Sequence, residues 1–354
     1  MTVAERRASD EWTEARTINL LARHLPDELR MRALGRARGL EVEGARVRAL
    51  SSLAKVFPEP LATELSEEAL ATAQCIESPW LRSRALVGVA VRLPEHKRQA
   101  LTEALSSAAR IPNDFQRGRA LCGMADLLPD DLADQAVMVA RAISDDAART
   151  QSLALLARHL PIDERLALLR VLPIIADELL RARALCALAE YLPTESIPEA
   201  LDHAHELSLP VAKSRALSAL AAHLADQQDT LRQEALTIAR GLTDPQDRAD
   251  LLTDLVHSLP EAQRTRVVEE ELSAARATDD APSRALALNG LAQCLSEGEK
   301  PAVMQEALQS ARGIDDDGLR AEVLASLLDA LPMGVRGPVV QEALAAIERR
   351  TGPS

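Results

Sequence analysis

The chain has 354 residues and a formal net charge of −13, with 41 Lys and Arg against 54 Asp and Glu. Hydrophobic residues make up 47% of the sequence, which is enough for a core and argues against a disordered chain. The acidic balance and the 1% of aromatic residues argue against nucleic-acid binding, which needs a positive field and stacking surfaces.

The sequence also indicates in which cellular compartment the protein is expected. No apolar run reaches the roughly 18 residues that a membrane span requires, and the N-terminus lacks the apolar core of a signal peptide. The four cysteines (Cys75, Cys122, Cys186 and Cys294) lie far apart without a CxxC spacing, so no disulfide framework or zinc site is expected. We expect a cytoplasmic protein that binds neither membranes nor nucleic acid.

Along the chain, two patterns alternate. The first ends in most copies at a proline and is seen in Arg48–Pro58, Arg84–Pro94, Arg119–Pro129 and Arg183–Pro193. The second is seen in Glu199–Ser208, Glu234–Asp244 and Glu306–Asp316. Both place apolar residues at i, i+3, i+4 and i+7, the spacing of one helix face. About ten copies of each pattern predict about twenty helices, in repeats of 32–36 residues.

The spacing between the patterns is regular. From the anchor residue of the second pattern to the closing position of the next first pattern is always 24 residues, as from Leu34 to Pro58 and from Leu308 to Pro332. The other link varies from 8 to 12 residues. One helical pair is too thin to bury its own apolar face, so the pairs must stack. The sequence thus predicts an all-α fold, a right-handed α-solenoid.

We expect one solenoid domain over residues 1–354, with residues 1–11 as an N-terminal cap or disordered lead and 351–354 as a disordered tail. Ten stacked pairs would extend roughly 80–100 Å before superhelical curvature. Aspartates at the junctions between repeats (Asp145, Asp177, Asp244, Asp280 and Asp316) are expected to cap helices. In the fifth repeat, Pro173 should kink or break the second helix.

The first pattern, Leu-x2-Leu-Ala-x2-Leu, has the spacing of the tetratricopeptide signature Trp-x2-Leu-Gly-x2-Tyr. In the second pattern, Ala200-x3-Ala204 matches the Ala-x3-Phe of that family. The chain therefore resembles a tetratricopeptide-like array over about residues 12–350. It replaces the aromatic residues by Leu and Ala, which leaves HEAT-like repeats as an alternative. It is also similar in character to the aliphatic helical repeats of bacterial sensor and scaffold proteins.

No catalytic or nucleotide-binding motif is present. His24, His159 and His223 recur at one repeat position, which favours a structural role, and His203 and His205 point to different faces of a helix. The run 315–317 of three aspartates coincides with a junction, so capping explains it better than calcium binding. We expect no enzyme activity, no cofactor and no metal.

Two basic ladders run through the repeats. The first is basic in nine of ten copies, often four residues after a junction aspartate, and we interpret it as structural; its members are Arg46, Arg82, Arg117, Arg149, Arg181, Lys213, Arg248, Arg284 and Arg320. The second, two residues later, reads Arg16, Arg48, Arg84, Arg119, Gln151, Arg183 and Arg215, and then Asp250, Leu286 and Glu322. The position seven residues further on carries Arg23, Lys55 and Arg158, and then acids including Asp126, Glu190 and Asp329.

This switch follows the charge of the two halves, because residues 1–177 carry a net −1 and residues 178–354 a net −12. If the tetratricopeptide resemblance holds, the second ladder faces the concave groove. It is then either a solvated face neutralised by adjacent acids or a basic floor for an acidic, extended ligand. The candidate binding residues are Arg16, Arg23, Arg48, Lys55, Arg84, Arg119, Arg158, Arg183 and Arg215.

From these features we expect a non-enzymatic scaffold that binds an acidic or extended peptide segment of a partner protein in its groove. Asp250, Glu322 and Asp329 should repel that ligand and so set its polarity along the groove. The alternative function is a sensor or regulatory region of a bacterial signalling or defence system that acts with a separately encoded effector. The sequence does not give the oligomeric state.

Overall fold

A computed structural model describes residues 3–243, 245–256, 259 and 261–351. These residues form twenty α-helices and no strand, so the predicted all-α class is confirmed. The first ten are α1 (Val3–Leu21), α2 (Asp27–Gly39), α3 (Glu43–Ala54), α4 (Leu61–Cys75), α5 (Pro79–Arg92), α6 (Lys97–Ala109), α7 (Asp114–Met124), α8 (Asp130–Arg141), α9 (Asp146–Leu155) and α10 (Ile162–Val171). The others are α11 (Glu178–Ala189), α12 (Ile197–His205), α13 (Pro210–Ala221), α14 (Gln228–Arg240), α15 (Pro245–Val256), α16 (Glu261–Arg276), α17 (Ala281–Ala292), α18 (Lys300–Arg312), α19 (Asp317–Leu327) and α20 (Met333–Thr351).

The contacts divide the chain into two compact units. The first unit comprises Met1–Ile76, Val91–His96 and Pro260–Ser354, and the second comprises Glu77–Ala90 and Lys97–Leu259. In the second unit, α7, α9, α11 and α13 each pack against the next odd-numbered helix. In the first unit, α1 packs on α3 and α17 on α19, and each of α3, α17 and α19 also packs on the even-numbered helix that follows it.

Small residues allow this close packing. The recurrent alanine of the first pattern is buried in every described copy, at Ala22, Ala54, Ala90, Ala125, Ala157, Ala189, Ala221 and Ala292. Leucines of the same helices, such as Leu185 and Leu188, are buried with it. The apolar stripe that the periodicity predicts is therefore the core of each unit.

The junction aspartates cap helices as expected. The Asp145, Asp177, Asp280 and Asp316 carboxylates accept hydrogen bonds from backbone N–H groups in the first turns of α9, α11, α17 and α19. Asp244 lies outside the described residues. Each cap satisfies a donor that the helix itself leaves unpaired.

The first basic ladder is structural, as its pattern indicated. Six of its arginines donate to the backbone carbonyl six residues earlier, at the end of the preceding segment; they are Arg46, Arg117, Arg149, Arg248, Arg284 and Arg320. These bonds satisfy carbonyls that a helix end leaves open and fix the junction between one helical pair and the next. This explains why the 24-residue spacing across the junction is constant.

The acidic partners of this ladder differ from the prediction. The sequence suggested pairs with the capping aspartate four residues earlier, whereas Arg149 pairs with Asp146, Arg181 with Glu178 and Arg320 with Asp317, all three residues apart. The capping carboxylates of Asp145 and Asp316 accept from backbone N–H groups of the first helical turn. The residue after the cap is left to neutralise the arginine.

The predicted break at Pro173 is confirmed. The α-helix α10 ends at Val171, and a 3-10 turn over Leu172–Ile174 follows, with Pro173 in its first positions. Proline has no N–H group to continue the α-helical ladder, so the second helix of this repeat stops there. Leu172 and Ile175 remain buried on either side of it.

Within the first unit, the two ends of the chain are in contact. Helix α1 packs against α19, and α20 packs against the 3-10 turn Ala22–His24. The repeat pattern did not predict this contact between the first and last repeats. The local sequence pattern contains no signal of this contact, because the contact joins residues near opposite ends of the sequence.

Candidate anion-binding site

The nine predicted binding residues fall into both units. The first unit contains Arg16, Arg23, Arg48 and Lys55, and the second contains Arg84, Arg119, Arg158, Arg183 and Arg215. Eight of them are exposed, whereas Arg48 is half-buried. Their local surroundings differ sharply, and three groups can be distinguished.

The first group is neutralised inside the chain. Arg16 of α1 forms an ion pair with Glu322 of α19, and Arg23 forms one with Asp329. The His24 ring also lies at Asp329, with Nε2 3.0 Å from Oδ1. We call these five residues the seam. Glu322 and Asp329 occupy in the last repeat the same two ladder positions that Arg16 and Arg23 occupy in the first.

The seam gives two of the expected groove acids a different setting. Glu322 and Asp329 were expected to repel an acidic ligand and so to set its polarity along the groove. They are instead the direct partners of these arginines, because the first and last repeats are adjacent. The side chain of Asp250, the third expected acid, lies outside the described residues.

Behind the seam, Arg48 is packed close to other cations. Burial lowers the pKa of Arg48 first, and the charge of Arg16 lowers it further, while Glu322 opposes both effects. Arg92, which the sequence analysis did not select, has a pKa lowered to about 10 by burial and by Arg48. Its Nε donates to Asn19 Oδ1 at 3.1 Å, and this oxygen also accepts from Ser52 Oγ at 2.6 Å.

The second group lines a cleft in the second unit. Arg84 of α5, Arg119 of α7 and Arg183 of α11 surround a cavity of about 320 Å³. We call it the arginine cleft; its other lining residues are Trp80, Ser83, Val87, Ala120, Cys122, Gly123, Gln151 and Leu180. None of the lining residues is acidic. The volume is at the lower end of the range for small-ligand pockets.

The cleft exists because α9 breaks the ladder. In place of an arginine, α9 carries Gln151, whose side chain is shorter and only 5% exposed. Helix α9 packs between α7 and α11, so the long arginines on those helices flank a recessed neutral residue. Three ladder positions thus supply the arginines at the rim of the cleft, and a fourth supplies Gln151 on its floor.

Aromatic side chains hold two of the arginines. The Arg84 guanidinium lies 5.3 Å from the centre of the Trp80 ring, and that of Arg119 lies 5.8 Å from the centre of the Phe115 ring. Stacking on a ring leaves the edge of a guanidinium free to bind an anion in a bidentate manner. The sequence analysis missed these rings, although each precedes its arginine by four residues, which is a helical neighbour spacing.

Arg183 is positioned by the wall of the cleft. Its Nη2 donates to the Cys122 carbonyl at 3.2 Å and lies 3.6 Å from the Asp126 carboxylate. The Asp126 side chain is 82% exposed, so this pair is weak. Burial raises the pKa of the Cys122 thiol to about 11, although Arg183 and Arg119 act in the opposite direction. The thiol is therefore a neutral part of the floor at physiological pH.

The third group takes no part in the cleft. Arg158 donates to the Leu128 carbonyl, and its Nε lies 2.6 Å from Nε2 of His159. The backbone carbonyl of Arg215 lies 3.9 Å from Cys186 Sγ, whose pKa burial raises to about 11. Lys55 is exposed just after the end of α3. None of these three lines the arginine cleft.

Neither a metal-ligand cluster nor a helix able to span a membrane is present in the described ranges. No group of three or more His, Cys, Asp or Glu side chains there is arranged to hold a metal ion. In the same part of the chain, no helix combines the length and apolar character that crossing a membrane requires.

Comparison with known proteins gives little guidance. No family model matches the sequence, and no curated protein matches it. Among solved structures, the chain is similar to Ton1535 from Thermococcus onnurineus NA1, with 16% identity over 95% of this chain and 99% of that one. The TM-score is 0.37, so nothing about fold or function is carried over from this likeness.

Proposed function

We propose that the protein is a non-enzymatic helical-repeat scaffold whose arginine cleft binds an acidic, extended segment of a partner protein. The observation that supports this most directly is that Arg84, Arg119 and Arg183, on three different helices, line one cavity without an acidic lining residue. Arginine presents a planar fork of donors that suits carboxylates. The chain as a whole is acidic, with a net charge of −13, so three arginines at one cavity favour a negatively charged ligand there.

The proposed architecture is a tetratricopeptide-like or HEAT-like α-solenoid of about ten helical pairs. It is supported by the successive packing of α7, α9, α11, α13 and α15 in the second unit and by the arginine bonds that recur at the junctions. In such an array one face of successive helices forms a continuous surface for an extended ligand. The cleft is lined by α5, α7, α9 and α11, which are successive first helices of the repeats.

The experiment is a binding titration with acidic, neutral and basic peptides of equal length. We expect the wild-type protein to prefer the acidic peptides. Replacing Arg84, Arg119 and Arg183 by Glu should weaken their binding by at least about 100-fold, because truncating or reversing one partner of a close charge pair costs several kcal/mol. Helicity by circular dichroism should not change.

A matched control uses three arginines of the same unit that lie on the even-numbered helices. Arg98, Arg141 and Arg170 form exposed pairs with Asp131, Glu164 and Glu199, so their reversal to Glu changes the net charge equally. The control should bind acidic peptides nearly as well as the wild type does. Equal losses in the two variants would show that net charge, and not the cleft, attracts the peptides, and would defeat the proposal.

A further inference from the structure

We propose that the arginine cleft selects a phosphomonoester dianion, presented as a phosphorylated side chain of the bound segment. This inference rests on the proposed function, since it names the group that the cleft prefers within an acidic segment. Three features of the cleft support it, namely its local charge, the positions of its donors and its neutral floor.

The local charge matches two negative charges. Three guanidinium groups line the cleft, and the carboxylate paired with them is that of Asp126, at 3.6 Å from Arg183 and largely exposed to water. Three positive charges against one negative charge leave an excess of two. A phosphomonoester carries about −1.5 to −2 at pH 7, whereas one Asp or Glu side chain carries −1.

The arrangement of the donors suits a tetrahedral group. The arginines come from three different helices, α5, α7 and α11, and line the same cavity. A carboxylate offers two oxygens in one plane, which one guanidinium already satisfies in a bidentate pair. A phosphomonoester offers three terminal oxygens and can accept from all three arginines at once.

The floor supplies neutral polar groups. Gln151 is nearly buried and lines the cleft, and its amide group is a potential donor. Ser83 also lines the cleft; it is fully buried, and its Oγ has no hydrogen-bond partner. A buried hydroxyl without a partner is unusual in a folded protein, and an anion in the cleft offers it an acceptor after a rotation about χ1.

The test uses Trp80 as a probe inside the cleft. The chain has two tryptophans, so a Trp12→Phe background leaves Trp80, beneath Arg84, as the only fluorescent indole. Into this protein we would titrate a phosphoserine peptide, the same peptide with Glu in place of phosphoserine, and phenyl phosphate as a free phosphomonoester. The phosphopeptide should bind at least about tenfold more tightly than the Glu peptide, because it offers additional charge-assisted hydrogen bonds.

A conservative variant locates the effect. Gln151→Glu keeps the size of the floor residue and places a carboxylate on the helix between Arg119 and Arg183, so it should abolish the preference for phosphate. Gln135→Glu makes the same change of charge on α8 and should retain the preference. Lowering the pH from about 7.5 to 5.5 should also reduce the preference of the unaltered cleft for phosphate. The reason is that the second pKa of a phosphomonoester is about 6, so the group loses one negative charge in this range.

Within that pH range the groups of the cleft keep their charges. Arginine stays protonated, and the pKa of Cys122 is raised to about 11, so its thiol stays neutral. A loss of preference on acidification therefore reports the ligand. The carboxylate of a Glu peptide, with an ordinary pKa of about 4.3, remains ionised.

The outcomes separate this inference from the proposed function. Equal affinity for the two peptides would overturn the preference for phosphate and leave acidic-segment binding intact. Binding of phenyl phosphate alone, lost in Gln151→Glu, would support the dianion site with a free phosphomonoester as its ligand and overturn the binding of a peptide segment. A phosphate preference that survives Gln151→Glu would overturn the assignment to this cleft.

Discussion

The seam and the arginine cleft use the same ladder position in opposite ways. At the seam, Arg16 meets Glu322, which occupies the equivalent position in the last repeat. At the cleft, Arg119 and Arg183 flank a neutral Gln151, and the lining contains no acid. A recurring arginine is therefore not a binding residue by virtue of its position alone. The residue that the neighbouring repeat places beside it decides whether it stabilises the fold or remains available to a ligand.

Reversing the seam should have the largest effect on stability. In the double variant Arg16→Glu and Arg23→Glu, two carboxylates would face Glu322 and Asp329. The pairs are partly exposed, so we expect a loss of about 1–2 kcal/mol in the free energy of unfolding, somewhat more than the usual contribution of exposed pairs. Adding Glu322→Arg and Asp329→Arg should restore most of it. A quadruple variant no more stable than the double variant would show that these ion pairs do not hold the ends together.

Removing the ring beneath Arg84 should have a smaller effect, on binding. Trp80→Ala leaves the Arg84 charge in place but removes the surface on which its guanidinium is stacked. We expect the affinity for an acidic peptide to fall about fivefold, corresponding to a cation–π contribution of about 1 kcal/mol. Trp12→Phe, in the first unit, is the control and should not change the affinity. If Trp12→Phe lowered the affinity and Trp80→Ala did not, the role given to the cleft would be contradicted.

The smallest effect is on the chemistry of the cleft floor. Since the pKa of Cys122 is raised to about 11, only about 0.1% of it is thiolate at pH 8, and alkylation should be slow and should accelerate up to about pH 11. The exposed Cys75 should react first. Replacing Arg119 and Arg183 by Glu removes two charges that lower this pKa, so alkylation of Cys122 should slow further. Mass spectrometry after timed labelling measures both rates.

Much of the fold could be predicted from local patterns. The periodicity, the capping aspartates and Pro173 act within one or two turns of helix, so the sequence predicted α10 to break and Asp145 to cap. The first basic ladder was interpreted as structural, and its bonds to backbone carbonyls confirm this. The acidic partners of this ladder were predicted four residues before each arginine, whereas Arg149 and Arg320 pair with the acid three residues before them.

The candidate site was only partly predictable. Arg84, Arg119 and Arg183 were selected together with six residues that lie elsewhere, because the ladder alone does not show which copies have an acidic neighbour. The change from Arg16 and Arg23 to Glu322 and Asp329 was visible as a charge switch. Its meaning depended on the contact between α1 and α19, which no local pattern encodes. The gap that Gln151 leaves in the ladder was also visible, but only packing shows that it opens a cleft.

The most direct test compares the two regions with one ligand. An acidic peptide would be titrated calorimetrically into the wild type, into the seam charge swap (Arg16→Glu, Arg23→Glu, Glu322→Arg and Asp329→Arg) and into the cleft variant (Arg84→Glu, Arg119→Glu and Arg183→Glu). The seam swap keeps the net charge and should leave the affinity within about twofold of the wild type, whereas the cleft variant should lose at least about 100-fold. Loss of binding in the seam swap, with the cleft variant still binding, would contradict the account.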